Sequence, residues 1–317
     1  MPKEAKNQVL VNIYMNTNLF NAILMTIGIY IIWMDFALFV DLSRSHHLIN
    51  TTTSHYSVFR PLTIKILIQG PTNHYIDGPL SHATLYFTNI AAYLSGDGIS
   101  VSSVFVAGLA SKCISNIGSL KIRHLGVLLY KVRDYLDALD GDVARYHCKE
   151  TRVIPNPTSR GYYFDGVCDG FGIIFLVVAI GYFIYNDKQW NKFQFVARNK
   201  IVVFNLFLIL VQILMSSLIW NYFMYKYHVL LETDIIAKDT QAQNMVFGFP
   251  GFWVVLYFWR LFNPQSITQY LLISVLYNKE EQYIVLSRYN GFLILFIISF
   301  WSESYYQYLL NAFLLKT

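Results

Sequence analysis

Acidic side chains in one stretch of this sequence fall at intervals that a helix turns into faces. The chain reads Asp137-Ala-Leu-Asp140-Gly141-Asp-Val-Ala144-Arg145 and then, after an interval, Gly161-Tyr-Tyr-Phe-Asp165-Gly-Val-Cys-Asp169. Residues three and four apart share a helix face, so Asp137, Asp140 and Ala144 line one face while Gly161, Asp165 and Asp169 line a second. Carboxylates among apolar helices demand compensation, and a divalent cation neutralises several at once. Oxygen ligands of this kind select hard ions such as Mg²⁺ or Mn²⁺. Such ions sit between protein carboxylates and substrate phosphates, so the expected substrate is a nucleotide diphosphate compound. Gly141, Ala144 and Gly161 leave room for a bulky ligand, and Arg145 stands where it can meet phosphate. A plainer arrangement has the aspartates at solvated helix ends, paired with Arg133, Arg145 and Arg160. An ion-coupled transporter is a third reading, although its charges would be spread over several helices rather than concentrated on two.

The elements that must position these residues are set by composition. Of 317 residues, 55% are hydrophobic and only 14% charged, so a bilayer is the natural solvent. Aromatics make up 17%, and many Tyr and Trp sit near the ends of apolar runs, at the membrane interface. The net charge of +5 falls in short clusters rather than on one basic face, which argues against nucleic acid as a partner. Cys113, Cys148 and Cys168 lack metal-type spacing, and His46, His47 and His55 lie in a polar loop with no carboxylate cluster. Runs of about 20 apolar residues predict spans at Leu19–Val40, Ile99–Ser119, Tyr163–Tyr185, Val202–Tyr225, Met245–Phe262 and Asn290–Phe313. A seventh, Ile122–Asp140, is assigned because it carries the aspartates. The region after Asp41 reads as a loop followed by an interfacial helix through Pro79–Tyr93, and the connections 187–200 and 264–282 read as solvated loops. Two regions result, residues 1–93 and 94–317.

The order Asp-x2-Asp-Gly-x2-Ala-Arg, then Gly-x3-Asp-x3-Asp, resembles the signature of the CDP-alcohol phosphotransferase family, and Gly96-Asp-Gly-Ile99-Ser is similar to the turn that opens that family's first core helix. The resemblance runs from about Leu94 to Phe313. It implies an all-α integral membrane fold, a six-helix core here preceded by an extra N-terminal transmembrane helix, giving about seven spans. It also implies two Mn²⁺ or Mg²⁺ ions held by Asp137, Asp140, Asp165 and Asp169, with Asp169 also taking the proton of the attacking hydroxyl. The CDP moiety would meet Asp137, Gly141, Ala144, Arg145 and Gly161, and the protein would pair as a homodimer. One departure is plain: fifteen residues separate Arg145 from Gly161, more than the family's usual interval.

Lys3 and Lys6 ahead of the first span favour a cytosolic N-terminus, which places the following loop and the active site in the lumen. The sequon Asn50-Thr51-Thr52 lies in that loop, making Asn50 a glycosylation candidate. A lumenal site behind an added anchor resembles the branch of the family that transfers phosphoethanolamine from CDP-ethanolamine to the primary hydroxyl of ceramide, releasing CMP. That implies a Golgi membrane, with the endoplasmic reticulum as the alternative. Transfer of phosphoethanolamine or phosphocholine to diacylglycerol, or phosphatidyl transfer from CDP-diacylglycerol, stays open, because motif spacing does not separate them.

Overall fold

An apolar chain in a bilayer folds as helices because its backbone has no other hydrogen-bond partner there. The computed structural model describes residues 3–44, 63–148, 160–186, 195–233 and 246–314, and the extended elements among them are helical, without strands. Helix α1 (Lys3–Arg44) belongs to a unit of its own, Met1–His46, and the rest of the chain forms a second compact unit. In that second unit α2 (Ile64–Leu67) precedes a π-helical turn, Asn73–Asp77, that runs into α3 (Gly78–Phe87) and α4 (Ile90–Tyr93). Then come α5 (Gly96–Ile114), α6 (Leu120–Cys148), α7 (Arg160–Asn186) and α8 (Phe195–His228), the last extended by a π-helical turn, Val229–Thr233. The unit ends with α9 (Pro250–Phe262), α10 (Pro264–Leu276) and α11 (Glu280–Leu314).

Among the described residues, five segments are long and apolar enough to cross a membrane: Asn21–Leu42, Gly96–Ile114, Arg160–Asn186, Ile201–Glu232 and Glu280–Ala312. Their outward faces carry large apolar side chains, Phe105, Phe175, Phe207 and Phe296 among them, which water would not tolerate in such number. The protein is an all-α integral membrane protein. The charged stretch Ile122–Asp140 lies inside α6, a 29-residue helix of ample length whose ionic residues keep it below the hydropathy of a span.

Residues 245–282 differ from the sequence expectation. In place of one span and a solvated loop there are two 13-residue helices, each about 20 Å long and too short to cross alone. Asn263-Pro264 causes the break: Pro264 cannot continue α9, and the Asn263 side chain accepts from Ser266 N at 2.8 Å as the N-cap of α10. Far from solvated, α10 buries Ile267, Leu271, Leu272 and Val275 in the central core with Ala110 and Ile180.

Helix α5 lies along α6 and against α7. The approach to α6 is possible because Gly126 has no side chain: a Cβ there would stand 2.8 Å from Ala110 O and Ile114 N, both backbone atoms. Helix α3, read from sequence as interfacial, is also tied to α6. Tyr135 Oη donates to Thr84 Oγ1 at 2.8 Å, Ser81 Oγ donates to Asp142 at 2.5 Å, and Lys131 pairs with Asp77 at 3.3 Å. Gly126→Ala should destabilise the protein by about 1–3 kcal/mol, because the obstructing atoms are backbone. Thermal unfolding in detergent checks this against Gly166→Ala, where nothing lies within 4 Å and no change is expected.

Candidate active site

Three and four residues of helix separate the acidic positions, so the carboxylates project from α6 and α7 toward one another once those helices pack. Asp137 from α6 and Asp165 and Asp169 from α7 each offer a carboxylate oxygen to a common point, these atoms lying within 4.8 Å of one another. Such a group can hold a metal ion. Asp140, one turn beyond Asp137 and buried, stands beside this group next to Asp165. It accepts a hydrogen bond from Ser100 Oγ at 2.5 Å. Ser100 is delivered by the opening turn of α5, where Ser95 caps the helix by accepting from Gly98 N at 3.2 Å. The donor set suits a hard cation: it is oxygen only, and the buried Oδ1 of Asp165 has no hydrogen-bond partner within the protein.

The counter-charge comes from Arg133, buried on α6 four residues before Asp137. Its guanidinium pairs closely with Asp169, lies 4.0 Å from Asp137 and 3.3 Å from Asp134. Gly172 on α7 makes room for it, since a Cβ there would fall 3.0 Å from Arg133 Nε. Asp134, with no exposure, is the hub behind the site: it also accepts from Lys131 at 3.1 Å and from Gln269 of α10 at 2.6 Å. Lys131 passes the network on to Asp77 in the π-helical turn. Burial raises the Asp77 carboxyl to about 6, opposed by the attraction of Lys131.

The remaining sequence candidates are placed as follows. Arg145 does not reach toward the carboxylate cluster; it donates to Asp142 at 2.5 Å on its own helix, and its guanidinium stands 3.5 Å from where a Gly141 Cβ would be. Ala144 lies under the start of α5, 3.3 Å from a Cβ built on Gly96, so its small size serves helix contact. Gly161 begins α7 with open space around its Cβ position. Of the alternative ion pairing, Arg133 with the aspartates is present but buried, not a solvated helix end. Cys113 and Cys168 are free thiols. Asn50, His46, His47, His55 and residues 149–159 lie outside the described residues. Sequence reasoning overlooked Ser100, Lys131, Asp134 and Gln269 as supports. The spacing of Lys131, Asp134 and Asp137, each three apart on one charged helix face, was the available signal.

Fold and site together define an integral membrane protein, all-helical, with a half-buried carboxylate cluster able to take a cation. The particular family follows from sequence comparison. The family model described as ceramide phosphoethanolamine synthase matches residues 15–200 and 188–312, and the chain belongs to that family. It is 31% identical over 259 residues to the ceramide phosphoethanolamine synthase of Drosophila melanogaster. The match covers 74% of this chain and 65% of that protein, so the chain spans under two thirds of its relative's length. No solved structure matches significantly.

Arg133 supplies the cluster with the positive charge that a cation would also supply, and this can be measured. Arg133→Met should cost about 3 kcal/mol of stability in the presence of EDTA, because Asp134 and the cluster lose their guanidinium. Added Mn²⁺ should raise the melting temperature of this variant more than that of the wild type, as read by thermal unfolding with and without metal.

Proposed function

We propose that the protein transfers phosphoethanolamine from CDP-ethanolamine to the primary hydroxyl of ceramide, giving ceramide phosphoethanolamine and CMP. The observation that carries the reading is the meeting of Asp137, Asp165 and Asp169 at one point, in a chain of the ceramide phosphoethanolamine synthase family whose acidic motif resembles that of CDP-alcohol phosphotransferases. The curated relative bears that synthase name. Asp137, Asp165 and Asp169 would hold Mn²⁺ or Mg²⁺, with Asp140 beside them. A divalent cation bound there would supply polarisation of the transferred phosphoryl group and offset the charge that builds on it.

The protein's own groups then have defined tasks. Asp169 accepts the proton of the ceramide hydroxyl as its oxygen bonds to the phosphorus of the phosphoethanolamine unit. The bond from that phosphorus to the bridging oxygen breaks, and CMP leaves with the electron pair. Arg133, bonded to Asp169, keeps that carboxyl oriented. Gly141 and Gly161 leave space for the nucleotide, and Arg145, released from Asp142, meets its phosphates. Lys3 and Lys6 ahead of the first apolar span and the sequon at Asn50 support a lumenal active site in a Golgi membrane.

Labelled CDP-ethanolamine and CDP-choline, offered with ceramide or diacylglycerol in detergent, test the reading. Transfer to ceramide should require Mn²⁺ or Mg²⁺, stop with EDTA and fall at least about a hundredfold in Asp169→Asn. Product on diacylglycerol alone would make the protein a glycerolipid enzyme, and transfer to neither acceptor would refute the proposal.

A further inference from the structure

Helix α2 is a single turn, Ile64–Leu67, too short to hold itself together, because helix nucleation costs more than four residues return. Its position is imposed by side chains from elsewhere. At its start, Ile64 N donates to Glu232 Oε1 at 2.5 Å, and the other oxygen of Glu232 is 2.5 Å from His228 Nδ1. At its end, Arg260 donates to Leu67 O at 2.9 Å and Trp220 Nε1 donates to Ile68 O at 3.0 Å. Ile64 and Leu67 are fully buried. Groups from α8, its π-helical extension and α9 are thus committed to the backbone of one turn.

What this turn presents is Lys65. Asn221, the neighbour of Trp220, accepts a hydrogen bond from Tyr162 Oη at 3.0 Å, and Tyr162 lies one turn before Asp165 on α7. Consecutive residues of α8 therefore touch α2 and the site-bearing end of α7. Across that junction the half-buried Lys65 acts electrostatically on Asp165. A cation on a backbone fixed at both ends, beside a carboxylate group that takes a metal, is preorganised for a phosphate bound to that metal.

We propose that Lys65 is a further substrate-binding residue, its ammonium meeting a phosphate oxygen of the nucleotide bound at the aspartate cluster. The assignment rests on the nucleotide-donor reading above and adds a residue from outside the Asp137–Asp169 motif. Glu232, His228, Trp220 and Arg260 are positioning residues that act through it.

The experiment uses the full chain in detergent with Mn²⁺, comparing wild type, Lys65→Ala, Lys65→Met and Lys65→Arg. CMP and cytidine serve as binding probes, and CDP-ethanolamine as donor. Losing a charge-assisted bond to phosphate should weaken CMP roughly ten- to a hundredfold in the Ala and Met variants and leave cytidine unchanged. The KM for CDP-ethanolamine should rise by a similar factor while that for ceramide stays put, and Lys65→Arg should recover most of both. Unchanged CMP affinity in the Ala and Met variants would overturn the proposal. So would an equal loss for CMP and cytidine, or a wild type that does not bind CMP. Lys65-dependent CMP binding in a protein that transfers nothing to ceramide would leave Lys65 standing and remove the proposed activity.

Discussion

The cost of placing charge in a low-dielectric helical interior governs this protein. Four aspartates on two adjacent helices repel one another and lose the hydration that would steady them. Arg133 answers part of that charge from α6, and Gly172 on α7 gives its guanidinium room. The guanidinium in turn is steadied by Asp134, which is shared with Lys131 and Gln269. Removing any one of these leaves a neighbouring charge uncompensated in a setting where that is expensive. The network is thus a single electrostatic object, and its carboxylate cluster is able to take a cation as a further counter-charge.

The surrounding helices can be understood as the support this object needs. Helix α5 supplies Ser100, α10 supplies Gln269, and the turn before α3 supplies Asp77, so three separate elements converge on the α6 face that bears Asp134–Asp142. Apolar packing does the rest: one core cluster joins α5, α6, α7, α8, α10 and α11, and a smaller one holds Ala91, Ile99, Leu139 and Val143 together beside the site.

The sequence was most legible where the physics is local. Helical spacing put Asp137, Asp165 and Asp169 on facing surfaces, and the apolar runs marked α1, α5, α7, α8 and α11 because hydropathy over 20 residues is a strong signal. Legibility failed where partners are distant in the chain. Arg133 looked like a surface counter-ion, and only the packing of α7 shows that it is enclosed. Helix α10 read as a loop because its Asn-Pro start and polar residues, Gln265 and Gln269, are also turn and loop residues. Its buried face is visible only once α6 and α8 are beside it. Arg145, read as a phosphate contact, pairs in this structure with Asp142 one helical turn away, a local partner that helical spacing also makes visible.

The tight seat of Gly126 on α5 also bears on how such a chain can change its length over evolutionary time. Asp137 lies eleven positions after Gly126, close to three full turns, so the contact that locks α6 to α5 and the first site carboxylate lie on nearly the same face. One residue inserted between them would rotate Asp137 and Asp140 by about 100° relative to that contact and take them away from Asp165 and Asp169. Between Arg145 and Gly161 no such indexing applies, since α6 and α7 are each registered by packing against α5 rather than by the segment that joins them. A change of length in that connection therefore leaves the register of both helices intact. Its unusual length here is compatible with an unaltered set of four aspartates.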